Sequence, residues 1–370
     1  MCVTAHNGFL DKTPISLRTA KSTRRGSARL LVLLILPCVL TALLASTPDA
    51  NQEPVTVVFG GDVVLCADVA KRVERYGDAY VFEKLDGLFS KADVAAVNLE
   101  NPLTYSDKKA PKPVLPGGGE PVYLKATPEA GRALTAGGID VAFLANNHIG
   151  DYEGSVVDTT TALRELGIRP VGAGRNRAEA CRPVLVEVRG VKLAFLAFCD
   201  VPPRQYEAGE SRPGCAWANA KDMRASIADA RAQADVVFVN LHFGGQHNTA
   251  PCNRQKELAA LALEAGADMI VGNHPHVIQP IAIHKGKPVL FSLGNLVFPK
   301  PLHSWLVGLA AKVTVIDKRI ARVDLIPIEI VDLTQPQRIH GHHVLEGLYE
   351  ASKAFGDHPT IEDGFIDLSK

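Results

Sequence analysis

The chain has 370 residues, enough for a full-sized hydrophobic core, and a formal net charge of zero at pH 7. The charge is unevenly spread: residues 1–29 carry six basic side chains against one acidic side chain, a net +5, and the remainder carries −5. Nucleic-acid binding needs a basic patch on the folded domain, and this distribution argues against one. We therefore expect no nucleic-acid partner.

The first 46 residues predict an export signal or a membrane anchor. Residues 1–29 form a basic head, and residues 30–46 are apolar and end in small side chains. The apolar run from Leu30 to Ala45 has 16 residues, fewer than the roughly 20 of a membrane-spanning helix, and Pro37 lies within it. We expect a cleaved signal peptide, with an uncleaved anchor as the alternative. The body is then exported, either periplasmic or extracellular, or anchored to the membrane and facing outside.

After a linker at residues 47–54, strand-like and helix-like patterns alternate. Apolar runs rich in β-branched or aromatic residues, bounded by Gly, Asn, Asp or Pro, are typical of strands. They lie at 55–59, 94–99, 141–144, 191–198, 236–241, 269–271, 289–292, 306–316 and 322–330, and helical patterns cover 155–166, 219–233 and 254–265. This alternation predicts one α/β layered domain over residues 55–330, with sheets covered on both faces.

Two segments lack a regular pattern. Residues 106–119 are rich in Lys, Pro and Gly and predict a loop that either shapes the functional site or is a plain surface excursion. Residues 331–370 are predicted to be a polar, solvated tail, in spite of three histidines between 340 and 343. Among the cysteines beyond the leader, Cys215 and Cys252 lie in loop-like stretches and are the candidates for disulfide bonding in an exported protein.

Two carboxylates follow early strands. Asp62 comes after two glycines that allow close backbone approach, and Glu100 follows Asn98-Leu99 at the end of the next apolar run. In α/β sheets the ligand crevice lies at the carboxyl ends of the strands. A carboxylate that bridges two cations can hold them roughly 3.5–4 Å apart, the spacing of two-metal hydrolysis. Taken singly, Asp62 can equally cap a helix and Glu100 can be an exposed turn residue.

The third motif, Asn146-Asn147-His148, is the most specific of the early ones. Asparagine is a poor strand residue, and two in succession before a histidine need a reason. One amide oxygen can bind a metal while its neighbour orients the turn. A histidine beside them can give or take a proton near neutral pH. Turn formation explains the asparagines alone but not the histidine.

Histidines close two later strands. His242 ends one apolar run, and His274 and His276 flank a stiffening proline after the next run. A single histidine at an apolar edge is usually structural, but three at the ends of neighbouring strands predict metal ligation. The following Gly-Asn turn at Asn295 is expected to support the site architecturally.

The motifs GD, NLE, ANNH, LHxG, GxHPHxxQ and SLGN occur here in one unbroken order. In this they resemble the CapA family of bacterial poly-γ-glutamate capsule biosynthesis proteins, which is related to the calcineurin-like metallophosphoesterases. The similarity runs from about Val55 to Phe298. It implies a four-layer αββα sandwich of the metallo-dependent phosphatase type, with two sheets packed face to face and helices outside.

The resemblance also implies roles for the motif residues. Two divalent metal ions, Mn, Fe or Zn, are expected to share Glu100, and His148 is expected to act as general acid. The remaining ligands are, for the first ion, Asp62 and His276, and for the second, Asn147, His242 and His274. Asn98, Asn146, Gln246 and Asn295 are expected to contact substrate or support the ligands.

Two departures from the family pattern concern the site. Gln246 stands where family members usually carry Glu, which removes a charge from a contact with substrate or a ligand. No histidine follows Asp62 as it does in the broader phosphoesterases, which leaves the first metal with few protein ligands.

Three hypotheses of different class follow. The first is a dinuclear-metal-dependent, phosphoesterase-like hydrolase in capsule synthesis at the cell envelope, acting on a phosphoester or an anionic polymer. The second is a non-catalytic envelope subunit that binds or exports an anionic polymer such as poly-γ-glutamate, with other capsule-synthesis subunits as partners. The third, a purely structural metal site, is disfavoured because such sites are closed and rich in sulfur. The membrane is a partner only if the N-terminal segment is not cleaved.

Overall fold

The structure is a computed structural model that describes residues 53–113, 120–299, 306–332, 334–355, 358–361 and 363–369. The predicted signal or anchor at residues 1–46 lies outside the described residues. Among the described helices, none combines the length and the apolar character that a membrane span requires.

Strands and helices are numbered in chain order. The strands are β1 (Val55–Val63), β2 (Val94–Leu99), β3 (Val141–Phe143), β4 (Arg169–Val171), β5 (Ala173–Gly174), β6 (Val184–Val188), β7 (Val191–Cys199), β8 (Gly214–Cys215), β9 (Val236–His242), β10 (Met269–Asn273), β11 (Ile278–His284), β12 (Lys287–Leu293), β13 (Asn295–Val297), β14 (Val307–Ile316), β15 (Arg319–Val331), β16 (Gln335–Arg338) and β17 (Phe365–Asp367). The α-helices are α1 (Asp68–Tyr76), α2 (Arg132–Gly137), α3 (Ser155–Glu165), α4 (Arg177–Ala180), α5 (Ala220–Gln233), α6 (Asn253–Glu264) and α7 (His342–Ser352). Short 3₁₀ turns lie at Asp78–Val81, Glu83–Leu85, Pro128–Gly131 and Arg204–Tyr206.

Most strands belong to two mixed sheets. The larger sheet has the order β16-β15-β14-β1-β2-β3-β4, with β13 beside β1 and β17 beside β15. The smaller sheet has the order β11-β12-β10-β9-β7-β6. The run β1 to β4 is parallel, as is the run β7, β9, β10 and β12. Each sheet therefore presents the carboxyl ends of several parallel strands at one edge, where ligand crevices form.

The two sheets pack face to face through aromatic side chains. The ring of Phe59 on β1 lies 5.0 Å from Phe238 on β9 and 6.4 Å from Phe195 on β7, measured between centroids. Within the larger sheet the same ring stacks on Phe143 at 6.4 Å. All four side chains are buried to within 1% exposure. Aromatic rings at these separations add attraction to the burial of their large apolar surface.

Helices cover the outer faces. Apolar residues of α5 and α6 pack on the outer face of the smaller sheet, in a cluster that contains Met223, Ile227, Leu258 and Leu263. On the larger sheet, Phe89 faces β1 from the side opposite Phe59, where the absent side chain of Gly60 leaves it room. Phe89 in turn packs edge-on against Phe82. The ring of Phe82 packs against Gly137 of α2. The predicted four-layer arrangement, helix, sheet, sheet, helix, is confirmed.

The predicted strands and helices are all present, with ends that differ by a few residues. Short strands such as β4, β6 and β13, and the helices α1 and α2, were not anticipated. The solvated tail expected after residue 330 is not what the structure shows. There β16 and β17 pair with β15, and α7 packs on β11, burying Leu348, Ser352 and Ile366.

The cysteines chosen as disulfide candidates are not joined. Cys215 on β8 is buried, Cys252 is exposed, and both are free thiols. Cys252 instead precedes α6, where its backbone N–H donates to Oε1 of Gln255 (3.0 Å) and so helps to begin the helix.

One carboxylate connects the two sheets at the end away from the ligand crevices. Asp93, just before β2, accepts hydrogen bonds from the backbone and hydroxyl of Thr56 on β1 (2.7 and 2.9 Å). It also accepts two from the guanidinium of Arg189, in the turn between β6 and β7 (both 2.6 Å). The Arg189 hydrogen bond lowers the pKa of Asp93 from 3.8 to about 2.

This pair predicts a pH-dependent contribution to stability. Because the pKa of Asp93 is lower in the folded chain than in the unfolded chain, its contribution is complete above pH 3.8 and is lost as the pH falls toward 2. We expect Asp93→Asn to lower the free energy of unfolding by about 1 kcal/mol at pH 7, since the pair is partly exposed to solvent. The difference from wild type should shrink below about pH 4.

Urea unfolding at a series of pH values from 7 to 3 measures the free energy of unfolding of wild type and of Asp93→Asn. Asp229→Asn on the exposed face of α5 is the control and should unfold like wild type at each pH. A constant difference between Asp93→Asn and wild type across the pH range would contradict the assignment.

Candidate metal centre

The candidate residues meet where the carboxyl ends of the two sheets converge. Asp62 lies in β1, in register with Asn98 on β2 and with Asn295 on β13. In the smaller sheet His242 ends β9 in register with Asn273, the last residue of β10. Residues separated by more than 200 positions in the chain thus reach one point because parallel strands end together.

The backbone of β1 is shaped to present Asp62. The register with β2 shifts between Gly60 and Asp62, which is a bulge at Gly61. A Cβ atom at Gly61 would lie 2.1 Å from the carbonyl oxygen of Gly294, so only glycine permits this approach. The N–H of Asp62 donates to that same oxygen at 2.9 Å. Bulges commonly redirect a side chain beside a functional site, and here the carboxylate turns toward the second sheet.

Glu100 lies at the middle of the site. Its carboxylate groups with His242 and His274 on one side and with Asp62 and His276 on the other. Within each group of three, the ligand atoms lie within 4.8 Å of one another. Oε1 of Glu100 is 3.6 Å from Nε2 of His242 and 3.7 Å from Nε2 of His276. These are the two donor sets that a pair of cations sharing one carboxylate requires.

The surroundings of Glu100 show whether divalent cations fit the site. The side chain is fully buried, and neither of its oxygens has a hydrogen-bond partner within the described part of the chain. Nδ1 of His274 is also buried and has no hydrogen-bond partner among the described residues. A buried carboxylate without partners is strongly unfavourable, and burial accordingly raises the pKa of Glu100 well above its ordinary value. Divalent cations supply the missing partners, so the residues fit such ions.

The imidazoles fall into two electrostatic classes. Burial, and then the neighbouring imidazoles, hold the pKa of His242 and of His274 well below the ordinary value, so both rings are neutral and ready to bind a cation at pH 7. Burial also lowers the pKa of His276, but the carboxylates of Glu100 and Asp62 outweigh it and the net shift is upward. Between them, Glu100 and His276 therefore retain at least one proton in the metal-free centre at neutral pH.

Two of the candidate ligands lie on strained backbone. His274 has φ of 96° and His276 has φ of 58°, both in the left-handed region that side chains with a Cβ rarely adopt. The N–H of His274 donates to Oδ2 of Asp62 at 3.2 Å, which helps to hold this turn. Strain of this kind persists only where the surroundings enforce it, and it gathers at functional sites.

Asparagines contact the candidate ligands. Asn98 donates to Oδ1 of Asp62 at 2.7 Å and approaches Nδ1 of His242 at 3.4 Å. Oδ1 of Asn147 lies 2.7 Å from Nε2 of His242, the same nitrogen that is 3.6 Å from Oε1 of Glu100. Asn295 contacts Nδ1 of His276 through its Oδ1 at 2.9 Å, which leaves Nε2 of that ring toward Glu100.

Asn146 has a supporting role behind this layer. Its amide donates to the carbonyl of Leu99 (2.8 Å) and to Oδ1 of Asn98 (3.3 Å), and its Oδ1 accepts from the N–H of His148 (3.1 Å). It therefore joins the end of β2 to the turn that carries His148.

His148 is held by Asp151. Nδ1 of His148 donates to Oδ2 of Asp151 at 2.7 Å. Asp151 is fully buried and also accepts from Nζ of Lys112 (2.7 Å), the N–H of Leu124 (2.8 Å) and the hydroxyl of Tyr206 (3.3 Å). With four donors, two at each oxygen, both oxygens of Asp151 act as hydrogen-bond acceptors. The proton on Nδ1 is thereby assigned, and Nε2 is the atom of His148 available for chemistry.

A cavity of about 150 Å³ opens beside His148. Asn147, His148 and Gln246 are among the residues that line it. The remaining described lining residues are Lys112, Pro113, Glu120, Pro121, Val122, Pro202 and Pro203. The predicted loop 106–119 thus shapes the site through its described part, residues 106–113.

The structure brings together all the residues singled out from the sequence. Asp62, Glu100, Asn147, His242, His274 and His276 surround the centre, and His148 lies beside them. Asn98, Asn146 and Asn295 contact the ligands or the turn of His148, whereas Gln246 is exposed on the cavity wall.

Sequence reasoning missed Asp151, Lys112 and Tyr206. The signal for Asp151 was its place three residues after His148, within the same turn. No local pattern marks Lys112 or Tyr206, because each reaches Asp151 across a long separation in sequence.

Comparison with known proteins identifies a family whose matched region contains these residues. The chain matches the family described as bacterial capsule synthesis protein PGA_cap over residues 56–300, well over half its length. The chain belongs to this family. Every candidate site residue lies inside the matched range.

Two curated relatives are similar over most of the chain. The capsule biosynthesis protein CapA of Bacillus anthracis is 31% identical over 326 residues, which covers 84% of this chain and 78% of that protein. The PGA biosynthesis protein CapA of Bacillus subtilis is 33% identical over 261 residues, which covers 69% of this chain and 67% of that protein.

Among solved structures, the 5'-nucleotidase precursor of Thermus thermophilus is 14% identical. The similarity covers 82% of this chain and 59% of that chain, with a TM-score of 0.44. A likeness of this size carries no information on substrate.

The protons held at the metal-free centre lead to a prediction about the pH dependence of metal binding. Because the pKa values of Glu100 and His276 are raised in the metal-free chain, divalent cations must displace protons at pH 7. We expect Mn²⁺ or Zn²⁺ binding to release about one proton per chain or more, and the apparent affinity to rise between pH 6 and pH 9. Titration calorimetry in buffers of different ionisation enthalpy measures the release.

Glu100→Gln should abolish most of this uptake, since both donor sets lose their shared ligand. Glu153→Gln, a half-exposed residue paired with Lys108, is the control and should behave like wild type. Binding heats that do not depend on the buffer, or full uptake by Glu100→Gln, would contradict the assignment.

Proposed function

We propose that the chain is a dinuclear-metal-dependent, phosphoesterase-like hydrolase that acts in capsule polymer synthesis at the cell envelope. One observation carries the proposal: a fully buried Glu100 carboxylate, without hydrogen-bond partners in the described residues, between two sets of metal-ligating side chains. Next to it are a histidine with one free nitrogen and a cavity. That combination is what two-metal hydrolysis uses.

The donor atoms support the choice of ion. One set is Asp62, Glu100 and His276, and the other is Glu100, His242 and His274 with Asn147 beside them. Mixed nitrogen and oxygen donors suit Mn, Fe or Zn better than Ca. When bound, such ions lower the pKa of water and polarise the substrate oxygen. The set with Asp62 has three protein donors, which leaves positions open for water and substrate.

The protein side chains supply positioning and a proton. His148 presents Nε2 toward the cavity and, in its protonated form, donates to the leaving oxygen. Asp151 keeps the other nitrogen protonated and stabilises the imidazolium before the transfer. Burial lowers the pKa of His148 and Asp151 opposes this shift, so that the imidazolium is a stronger acid than that of an exposed histidine.

The substrate class and the location rest on the relatives. One is named a capsule biosynthesis protein and another a PGA biosynthesis protein, which supports an anionic polymer such as poly-γ-glutamate, or a phosphoester formed during its synthesis. Capsule synthesis takes place at the cell envelope, in agreement with the predicted export of the chain. Other capsule-synthesis subunits are the expected protein partners, and the membrane is a partner if the N-terminal segment remains attached.

Removal of the imidazole of His148 tests the catalytic role. We expect His148→Ala to lower kcat for phosphodiester hydrolysis by about 10²–10⁴-fold, because the leaving oxygen loses its proton donor. The Mn²⁺ or Zn²⁺ content should remain that of wild type, because the predicted ligand sets do not include this ring. Turnover of bis(4-nitrophenyl) phosphate by the metal-loaded full chain and metal analysis by mass spectrometry provide the two measurements.

His343→Ala on the exposed face of α7 is the matched control and should leave both quantities unchanged. Two results would count against a hydrolase. One is a metal-loaded wild-type protein that turns over neither phosphodiesters nor amides. The other is a His148→Ala variant that retains full activity. Retention of an anionic polymer without turnover would instead support a binding subunit.

A further inference from the structure

Lys112 occupies an unusual place next to the catalytic histidine. Its side chain is only 10% exposed and forms an ion pair with the fully buried Asp151 at 2.7 Å. Nζ of Lys112 is also 3.3 Å from Nδ1 of His148. Among the described residues that line the cavity beside His148, Lys112 is the only lysine or arginine.

The hydrogen bonds of Lys112 leave one donor available. Its ammonium group has three protons. One is donated to Oδ1 of Asp151 (2.7 Å) and one to the carbonyl of Val122 (2.9 Å). Nδ1 of His148 cannot accept the third, because that nitrogen carries the proton donated to Asp151. The third proton therefore has no oxygen or nitrogen acceptor within the described part of the chain, although the rings of Tyr123 and Tyr206 lie nearby, with centroids 5.6 and 6.0 Å from Nζ. A carboxylate in the cavity is a stronger acceptor for this proton than either ring.

The segment that carries Lys112 is fixed in place. The N–H of Ala110 donates to the carbonyl of Asp151 at 2.9 Å, and Lys109 and Tyr152 form a short antiparallel bridge. The side-chain amide of Gln205 also donates to the carbonyl of Pro111. An ammonium group on a fixed segment is preorganised, so it does not have to be ordered when a ligand binds.

Apart from the exposed side chains of Glu120 and Gln246, the rest of the cavity wall is mostly apolar. It includes Pro113, Pro121, Val122, Pro202 and Pro203. Its volume of about 150 Å³ is below the ~300–1,000 Å³ of pockets for drug-sized ligands. It therefore suits one short aliphatic unit with a charged end better than a nucleotide. A single ammonium point charge, rather than the bidentate fork of arginine, suits one carboxylate oxygen.

We propose that Lys112 is a specificity-determining residue that binds a carboxylate of the substrate, at a position distinct from the bond that is hydrolysed. The inference rests on the proposed function, since it assumes that the substrate reaches the metal centre through this cavity. It assigns to the substrate a pendant or terminal carboxylate close to the reacting group.

Binding of a short anionic polymer tests this role separately from hydrolysis. Tri-γ-glutamate is titrated into the metal-loaded wild-type chain and into the variants Lys112→Met and Lys112→Arg, with isothermal calorimetry as the readout. The loss of one charged hydrogen bond should weaken binding by about tenfold or more in Lys112→Met. Lys112→Arg keeps the charge and should recover part of the affinity. Asp151 retains three other donors in Lys112→Met, so the segment keeps its anchor.

Two controls separate recognition from a structural role. Lys109→Met removes a lysine from the same segment, where it lies over the ring of Tyr123 at 4.8 Å, and should bind tri-γ-glutamate like wild type. An analogue of tri-γ-glutamate in which every free carboxylate is replaced by a neutral carboxamide is the second control, and its weaker binding should be the same in wild type and Lys112→Met.

The proposal is overturned if the wild-type chain does not bind tri-γ-glutamate, if Lys112→Met binds it as tightly as wild type, or if Lys112→Met loses affinity equally for the charged and neutral peptides. Failure of the proposed hydrolase looks different. In that case wild type binds tri-γ-glutamate with the Lys112 dependence described above but hydrolyses neither phosphodiesters nor amides.

Discussion

The site depends on one buried carboxylate. Glu100 is fully removed from solvent and has no hydrogen-bond partner among the described residues, a condition that costs several kcal/mol unless a positive charge compensates it. The rings of His242 and His274 are neutral at pH 7 and do not supply that charge, whereas His276, whose pKa is raised, supplies part of it. The arrangement is consistent once cations lie between Glu100 and the two flanking donor sets. Without them the centre must retain protons, as the raised pKa values of Glu100 and His276 show.

Two features of the fold place this carboxylate: the packing of the two sheets and the local backbone at the centre. The aromatic contact between Phe59 and Phe238 keeps the sheets face to face, so that the ends of their parallel strands meet at one edge. The bulge at Gly61 and the left-handed backbone of His274 and His276 are local departures from regular geometry, and all three lie at the centre. At the centre, strained backbone therefore carries candidate ligands, and the strands behind it are buried and largely apolar.

Much of this was predictable from the sequence because the strands are apolar runs with abrupt polar ends. Each ligand stands where an apolar run stops, and the rule that parallel strands end together makes their convergence an expectation. The motif order added the pairing of the two donor sets around Glu100, which spacing alone does not give. The four-layer arrangement followed from the same resemblance.

What could not be predicted depends on contacts between segments without a strong local pattern. Lys112 stands in a stretch rich in proline and lysine, which indicates a loop and says nothing of the buried Asp151 that it reaches. The C-terminal residues are polar enough to indicate a solvated tail, yet α7 buries one narrow face that includes Leu348, and Ile366 pairs into the larger sheet. In each case a few long-range contacts override an otherwise polar composition.

The central claim is that Glu100 is shared by two cations. The most direct measurement is a crystal structure of the chain grown with Mn²⁺, with anomalous difference maps collected above the manganese edge. The account predicts two peaks on either side of Glu100, roughly 3.5–4 Å apart, one contacting Asp62 and His276 and the other His242 and His274. A map with no peak at this position, or with a single ion that leaves one donor set empty at saturating Mn²⁺, would contradict it.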